Sequence, residues 1–182
     1  RFVQEAQAIG LIAHRGVVKL HAVERTAEGQ PYMVTELIAG EDLSAAVARG
    51  PMKLAMVSQI VDQLASALEA VHGAGFVHRD IKPDNLLIRS TPGLEREPIG
   101  KLLRSDEELI VGDFGLAKVV DLQATKLSLI AYTRGFAPPE QVRGLSGIQP
   151  SADVFSASAV LISAMSGQSP EQVFADGEQA FP

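Results

Sequence analysis

The sequence predicts an α+β fold in which one helix and two antiparallel strands precede a mainly helical remainder. The segments 16–25 and 32–38 are typical of short strands, and the Gly- and Pro-containing stretch 26–31 between them is typical of a turn. From Leu54 to Val71 apolar residues recur at intervals of three and four, which predicts a long amphipathic helix. The helical pattern of residues 1–14 and the two strands that follow it are expected to form a helix packed on a small antiparallel sheet.

The remaining elements follow from shorter patterns. Residues 1–14 place Phe2, Ala6, Ile9 and Ala13 on one face of a predicted helix. The apolar face of the long helix is expected to consist of Leu54, Val57, Val61, Leu64, Leu68 and Val71. Short strands are predicted at 76–78, 85–88 and 108–113, a surface segment at 89–108, and a buried helix at 151–167.

Composition narrows the classes of function. The chain of 182 residues has 16 Lys and Arg against 22 Asp and Glu, so its net charge of -6 argues against a nucleic-acid partner. The absence of Cys excludes a disulfide framework and a Cys-based metal site. The longest apolar run, 154–165, is shorter than the ~20 residues that cross a bilayer. We expect no membrane segment within this chain and a cytoplasmic location.

Polar side chains follow two of the predicted short strands. Asp80 and Asp113 each open a loop after an apolar strand, so their carboxylates are expected to lie at the end of a packed sheet. Together with the amide oxygen of Asn85 they form the type of hard oxygen site that Mg²⁺ accepts. Lys82 adds a cation that could stabilise phosphoryl charge. Four polar groups between apolar strands favour a ligand site over a purely structural role.

The motifs in this region resemble those of a known family. The sequence HRDIKPDN at 78–85, followed by DFG at 113–115, resembles the catalytic and metal-binding loops of protein kinases. Lys82 corresponds to a lysine that is typical of the Ser/Thr-specific branch of this family, and the sequence as a whole resembles bacterial members of that branch. Further similarities are PPE at 138–140, the helix at 151–167 and VTELIAGEDL at 34–43, which resembles the hinge.

This resemblance implies the central part of a Ser/Thr protein kinase, which transfers the γ-phosphate of ATP to Ser and Thr hydroxyls of protein substrates. Asp80 would accept or orient the proton of the substrate hydroxyl, and Lys82 would stabilise the moving phosphoryl group. Thr133 would bridge these two residues. Asn85 and Asp113 would hold the Mg²⁺ that bridges the ATP phosphates.

The resemblance also implies a nucleotide site and an internal spine. The expected nucleotide residues are the helix-C glutamate Glu5, the gatekeeper Thr35, the hinge residues Glu36 and Ile38, Asp42 at the ribose and Leu87 beneath the base. The expected spine consists of Ile9, Leu20, His78 and Phe114, anchored through Asp153, which would cap backbone amides of the charged loop. His78 is therefore interpreted as a packed core residue.

The resemblance to protein kinases also implies two parts of the fold. Residues 1–35 would be a remnant of the small lobe, and residues 36–182 would be the hinge and an incomplete large lobe. Neither a Gly-x-Gly-x-x-Gly loop nor a strand with the ATP-pairing Lys precedes Glu5. We therefore expect little or no catalysis by these 182 residues alone. Mg²⁺- and ATP-dependent phosphorylation by the chain, lost on Asp80→Asn, would contradict this expectation.

Two other functions remain as alternatives. A catalytically inactive interaction module with a kinase fold would bind partners without transferring phosphate, and the retention of Asp80 and Asp113 speaks against it. A small-molecule kinase of the aminoglycoside type would be expected to lack the residues that correspond to Lys82 and Glu140. Protein phosphorylation is the preferred prediction.

Overall fold

The computed structural model describes residues 6, 9–89, 108–113, 135–144 and 147–173. Its strands are β1 (Leu20–Arg25), β2 (Pro31–Thr35), β3 (Gly40–Asp42), β4 (Leu86–Arg89) and β5 (Glu108–Val111). Its helices are α1 (Leu43–Val47), α2 (Leu54–Gly73), α3 (Pro139–Val142) and α4 (Ser151–Ser166), and Pro83–Asn85 forms a 3-10 turn. The predicted surface segment lies almost entirely outside the described residues, and so does Phe2.

The predicted hairpin is confirmed by β1 and β2, which pair antiparallel with Val23 opposite Met33. The turn between them closes because Gly29 donates its N–H to the carbonyl of Thr26 at 2.9 Å. Gly29 has a φ of +83°, a conformation that side chains disfavour. The second strand is shorter than predicted: it ends at Thr35, and two residues later Leu37 is 94% exposed.

A second sheet has the order β3-β4-β5, with both pairs antiparallel. The strands β4 and β5 were expected from their apolar residues, and the buried side chains Leu86, Ile88 and Leu109 form part of the core. The strand β3 and the short helix α1 were not predicted. β3 has only three residues, and its pairing with β4 depends on Gly40, which lies against the backbone of Ile88.

The long helix is confirmed as α2, but its predicted apolar face is partly wrong. Leu54 is 74% exposed and Val61 is 38% exposed, whereas Met56 and Ile60 are buried in their place. Apolar positions at intervals of three and four start equally well from residue 54 or 56, so the sequence allows two overlapping stripes. The stripe that is buried is the one facing β5 and α4, against which α2 packs.

By length and composition α2 could also cross a membrane. In the fold it behaves as a core helix, because one of its faces is covered by β5 and α4. The buried residues of this face are Met56, Val57, Ile60, Leu64, Ala67, Leu68 and Val71.

The predicted helix near the end of the chain is confirmed as α4, which terminates at Gly167 with a φ of +69°. The strand predicted at 76–78 is wrong. The N–H of Phe76 bonds to the last turn of α2, and the N–H of His78 bonds to the carboxylate of Asp153. These backbone donors are therefore satisfied by a helix end and a side chain, and no neighbouring strand pairs with them.

The core fixes the ends of two elements, α2 and β5, next to which the candidate site lies. α2 leads into the charged loop 76–85, and β5 ends one residue before Gly112. Val111 is also tied to the segment before β1, since its N–H donates to the carbonyl of Gly16 at 2.8 Å and its carbonyl accepts from Val18 at 2.9 Å. The end of β5 is thus held between the N-terminal segment and the large helical part of the fold.

Candidate active site

The charged loop is anchored to α4 by Asp153, whose side chain is fully buried. Its Oδ2 accepts the N–H of His78 and lies near His72 Nε2, and its Oδ1 accepts the N–H of Arg79, each at 2.8 Å. One carboxylate therefore pairs with two successive backbone amides of the loop. The predicted capping role of Asp153 is confirmed.

His78 has a fixed tautomer in this arrangement. Its Nε2 donates to the carbonyl of Gly112 at 3.0 Å, and its Nδ1 accepts the N–H of Asp80 at 3.3 Å. Because a carbonyl only accepts and an amide N–H only donates, the ring is neutral with its proton on Nε2. Burial lowers the pKa of His78, and this outweighs the opposing effect of Asp153 and the other nearby carboxylates.

This burial predicts a pH dependence of stability. The unfolded chain takes up a proton on His78 near the usual pKa of 6.5, whereas the folded chain resists it until lower pH. The free energy of unfolding is therefore expected to fall as pH drops below 6.5, by at most about 1.4 kcal/mol per pH unit from this residue. Urea titrations of the parent and His78→Gln chains between pH 7.5 and 5 measure this. Parallel pH curves for the two chains would contradict the prediction.

The structure brings three of the predicted site residues together. Asn85 Nδ2 donates to the backbone carbonyl of Asp80 at 2.7 Å and to its Oδ2 at 3.1 Å. Lys82 Nζ lies 3.9 Å from the same Oδ2. The Asp80 carboxylate is thus oriented by a neutral donor and faces a cation. It is also partly accessible at the loop surface.

Asn85 also lies beside the segment that carries Asp113. The N–H of Gly112 donates to the backbone carbonyl of Asn85 at 2.9 Å, and Asp113 follows Gly112 directly. Asp113 is exposed and has a φ of +49°, a left-handed conformation that turns the chain sharply at the end of β5. This contact joins the two predicted metal-binding segments at their backbones.

The donor set fits Mg²⁺. The amide nitrogen of Asn85 is used by Asp80, and no hydrogen bond in the described part of the chain uses its Oδ1. This oxygen and the exposed Asp113 carboxylate are hard donors. Among the described residues no three His, Asp or Glu side chains are grouped closely enough to hold a metal by themselves. A cation here would need further oxygen ligands, such as phosphate or water.

The predicted hinge residue Glu36 takes part in a network that the sequence did not reveal. Its backbone N–H donates to the carbonyl of Lys19 and its Oε1 accepts the N–H of Lys19, each at 2.9 Å. Its Oε2 lies 2.7 Å from Arg89, which also bonds to Glu108 at 3.0 Å. Glu36 therefore links the residue before β1 to the end of β4 and, through Arg89, to the start of β5.

Four other predicted nucleotide residues lie on or next to the strands that Glu36 connects. Thr35 ends β2 and is exposed, Ile38 is half-buried, and Leu87 on β4 is opposite Asp42 on β3 and Ile110 on β5. Leu87 and Asp42 are therefore neighbours across one pair of strands. Their contacts with a nucleotide stay predictions.

Asp42 also caps a helix. Its Oδ1 accepts the N–H of Ala45 at 2.8 Å and the hydroxyl of Ser44 at 2.6 Å, so it caps the first turn of α1. These hydrogen bonds, led by that of Ser44, lower the pKa of the Asp42 carboxyl. An Asp before an Ala-rich stretch is a capping signal that could have predicted this role.

Several predicted residues lie outside the described part of the chain: Glu5, Phe114 and Thr133.

Another contact to the charged loop was not predicted from the sequence. Gln141 on α3 donates from its Nε2 to the backbone carbonyl of Arg79 at 2.9 Å. No local pattern marks this residue, since its partner is 62 positions away in the chain.

Comparison with solved structures gives the same fold. The crystal structure of Rad53 residues 1–466 in complex with AMP-PNP aligns with a TM-score of 0.67 over 93% of this chain and 38% of that one, at 24% sequence identity. This similarity shows the kinase fold, in agreement with the prediction of an incomplete kinase-like α+β fold.

Sequence comparison shows which kinases are similar. The serine/threonine-protein kinase Pkn1 of Myxococcus xanthus is 33% identical over 172 residues, which are 93% of this chain and 23% of Pkn1. PknA of Mycobacterium tuberculosis is 32% identical over 93% of this chain and 37% of PknA. The chain thus spans between about a quarter and two fifths of the length of these relatives. The protein kinase domain family matches residues 1–180, so this chain belongs to the protein kinase family.

Proposed function

We propose that the protein containing this chain transfers the γ-phosphate of ATP to Ser and Thr hydroxyls of protein substrates. The observation that carries the proposal is the convergence of Asn85 and Lys82 on Asp80, at the end of a loop anchored by Asp153. The similar bacterial proteins are serine/threonine-protein kinases, which supports the same reaction and substrate class.

In this reaction Asp80 is the group that orients the hydroxyl and takes its proton. The Asn85 amide holds the Asp80 carboxylate in place, and Lys82 offers positive charge to the transferring phosphoryl group. Since phosphoryl transfer needs mainly positioning and charge stabilisation, a rigid loop with one base and one cation suits it.

ATP would be held between the hinge and this loop. Rad53, which shares the fold, was crystallised with AMP-PNP, and this supports an adenine nucleotide as the ligand. Asn85 Oδ1 and the Asp113 carboxylate are the residues that would hold Mg²⁺. When bound, the metal would neutralise charge that develops on the phosphates.

Phosphate transfer tests the proposal. The longest gene product that contains this segment is incubated with Mg²⁺ and γ-³²P-ATP, with myelin basic protein as a general substrate. We expect Asp80→Asn to lower the rate by about 10²–10⁴-fold, because it removes the proton acceptor. Asp113→Asn is expected to lower it similarly and to raise the Mg²⁺ concentration required for half-maximal rate.

The matched control is Asp62→Asn, which changes an exposed carboxylate on α2 outside the predicted site and should leave the rate unchanged. Binding of ATP without transfer by the unaltered protein would contradict the proposal and support the inactive interaction module. Equal rates for the parent protein and Asp80→Asn would contradict the role of Asp80.

A further inference from the structure

One peptide unit precedes the Asp80 side chain, and both of its polar ends are held by side chains. Its carbonyl, which belongs to Arg79, accepts Gln141 Nε2 at 2.9 Å. Its N–H, which belongs to Asp80, donates to His78 Nδ1 at 3.3 Å. The plane of this peptide is thus set by one residue of the loop itself and one residue of α3.

The backbone before Asp80 is in a conformation that requires support. Arg79 has a φ of +68°, in the left-handed region that residues with a side chain disfavour. Such a conformation persists when the surrounding structure holds it, and it is common at functional sites. The N–H of Arg79 is held by Asp153 Oδ1 at 2.8 Å, and its carbonyl is held by Gln141. A rotation of the 79–80 peptide would redirect the Asp80 side chain.

The bond to the Arg79 carbonyl is the one hydrogen bond that the Gln141 side chain makes within the described residues. The residue is 6% exposed, and its Oε1 is buried without a hydrogen-bond partner among the described residues. Leaving a buried amide oxygen unpaired is unfavourable. Reversing the amide would place Oε1 against the Arg79 carbonyl, so that two acceptors would face each other. The donor function of Nε2 therefore accounts for an amide at this position.

We propose that Gln141 is a positioning residue for Asp80. It holds the Arg79–Asp80 peptide so that the carboxylate keeps its place beside Asn85 and Lys82. It also connects α3 to the charged loop, so that the position of α3 affects the orientation of the reacting group. The consequence for the reaction rate rests on the proposed function, whereas the effect on the peptide does not.

The first test uses the 182-residue chain and needs no activity. Amide hydrogen exchange is measured at Asp80 in Gln141→Met, which keeps the length of the side chain and removes the donor. Exchange is expected to be at least tenfold faster than in the parent chain. The control is Gln149→Met, because Gln149 is exposed and its side chain donates to the nearby carbonyl of Gly147, far from the charged loop in the sequence. Unchanged exchange at Asp80 in a folded Gln141→Met chain overturns the proposal.

A second variant covers the case in which Gln141→Met does not fold. Gln141→Glu keeps the shape of the amide, and its carboxyl group can donate to the Arg79 carbonyl only when protonated. The amide NMR signal of Asp80 is therefore expected to titrate with pH in Gln141→Glu, toward its position in the parent chain at low pH. A signal that follows the pH dependence of the parent chain overturns the proposal.

The kinetic test uses the full gene product. Gln141→Met is expected to lower kcat at least tenfold and to leave KM for ATP within twofold, because the predicted nucleotide contacts involve other residues. Equal falls in kcat and ATP affinity would indicate general damage and overturn the positioning role. If the parent protein transfers no phosphate but the Asp80 amide responds as expected, the positioning of Asp80 stands and the proposed function fails.

Discussion

Asp153→Ala is expected to lower the free energy of unfolding by about 3–5 kcal/mol. The substitution leaves the buried N–H of His78 and the half-buried N–H of Arg79 without their acceptor, and an unsatisfied buried group costs about 1–3 kcal/mol. The substitution also removes the contact between Asp153 Oδ2 and His72 Nε2, which lie 2.8 Å apart in the unaltered chain. Equilibrium unfolding in urea measures the loss.

Two further variants make this prediction specific. Asp153→Asn keeps one acceptor oxygen but places an NH₂ group where the second oxygen accepts, so an intermediate loss is expected. Asp62→Ala removes an exposed carboxylate on α2 and should change stability by no more than about 0.5 kcal/mol. If Asp153→Ala lost less than about 1 kcal/mol, the loop would not depend on this carboxylate.

Gly40→Ala is the second substitution with a large expected effect. A Cβ at this position would lie 1.8 Å from the carbonyl oxygen of Ile88 and 2.8 Å from its carbonyl carbon. Both atoms belong to the backbone of the central strand β4, so the clash cannot be relieved by turning a side chain. We expect β3 to separate from β4, with a loss of at least about 2 kcal/mol in unfolding free energy.

The separation would also displace Asp42, which ends β3 and caps α1. Hydrogen exchange of the β3 and β4 amides locates the change, and urea unfolding gives its size. Gly73→Ala is the matched control, because a Cβ there meets no atom within 4 Å. Gly73 lies in the last turn of α2, so this change should be neutral or stabilising by about 0.5–1 kcal/mol. Equal stability of Gly40→Ala and the parent chain would refute the close approach.

Residues close together in the chain were predictable. The hairpin of β1 and β2, the helix α2 and the helix α4 follow from local periodicity and turn residues, which act within a few positions. The same holds for Asp80, Lys82 and Asn85, because one short loop and its 3-10 turn bring them together. The motif HRDIKPDN therefore encodes much of the site in eight consecutive residues.

Contacts between distant residues were not predictable in this way. Which stripe of α2 is buried was decided by where β5 and α4 pack, since both stripes have the same period. The prediction of a strand at 76–78 was wrong because the N–H of His78 donates to the carboxylate of Asp153, which lies 75 positions later in the chain.

The sequence by itself thus determined the family, the local elements and the residues of the charged loop. The resemblance also predicted that Asp153 caps the amides of that loop. Only the tertiary structure decided its other two supports, which are the hydrogen bond of His78 to Gly112 and that of Gln141 to the Arg79 carbonyl. The physical reason is that these two hydrogen bonds join groups 34 and 62 positions apart, whose meeting depends on the packing of whole helices and strands.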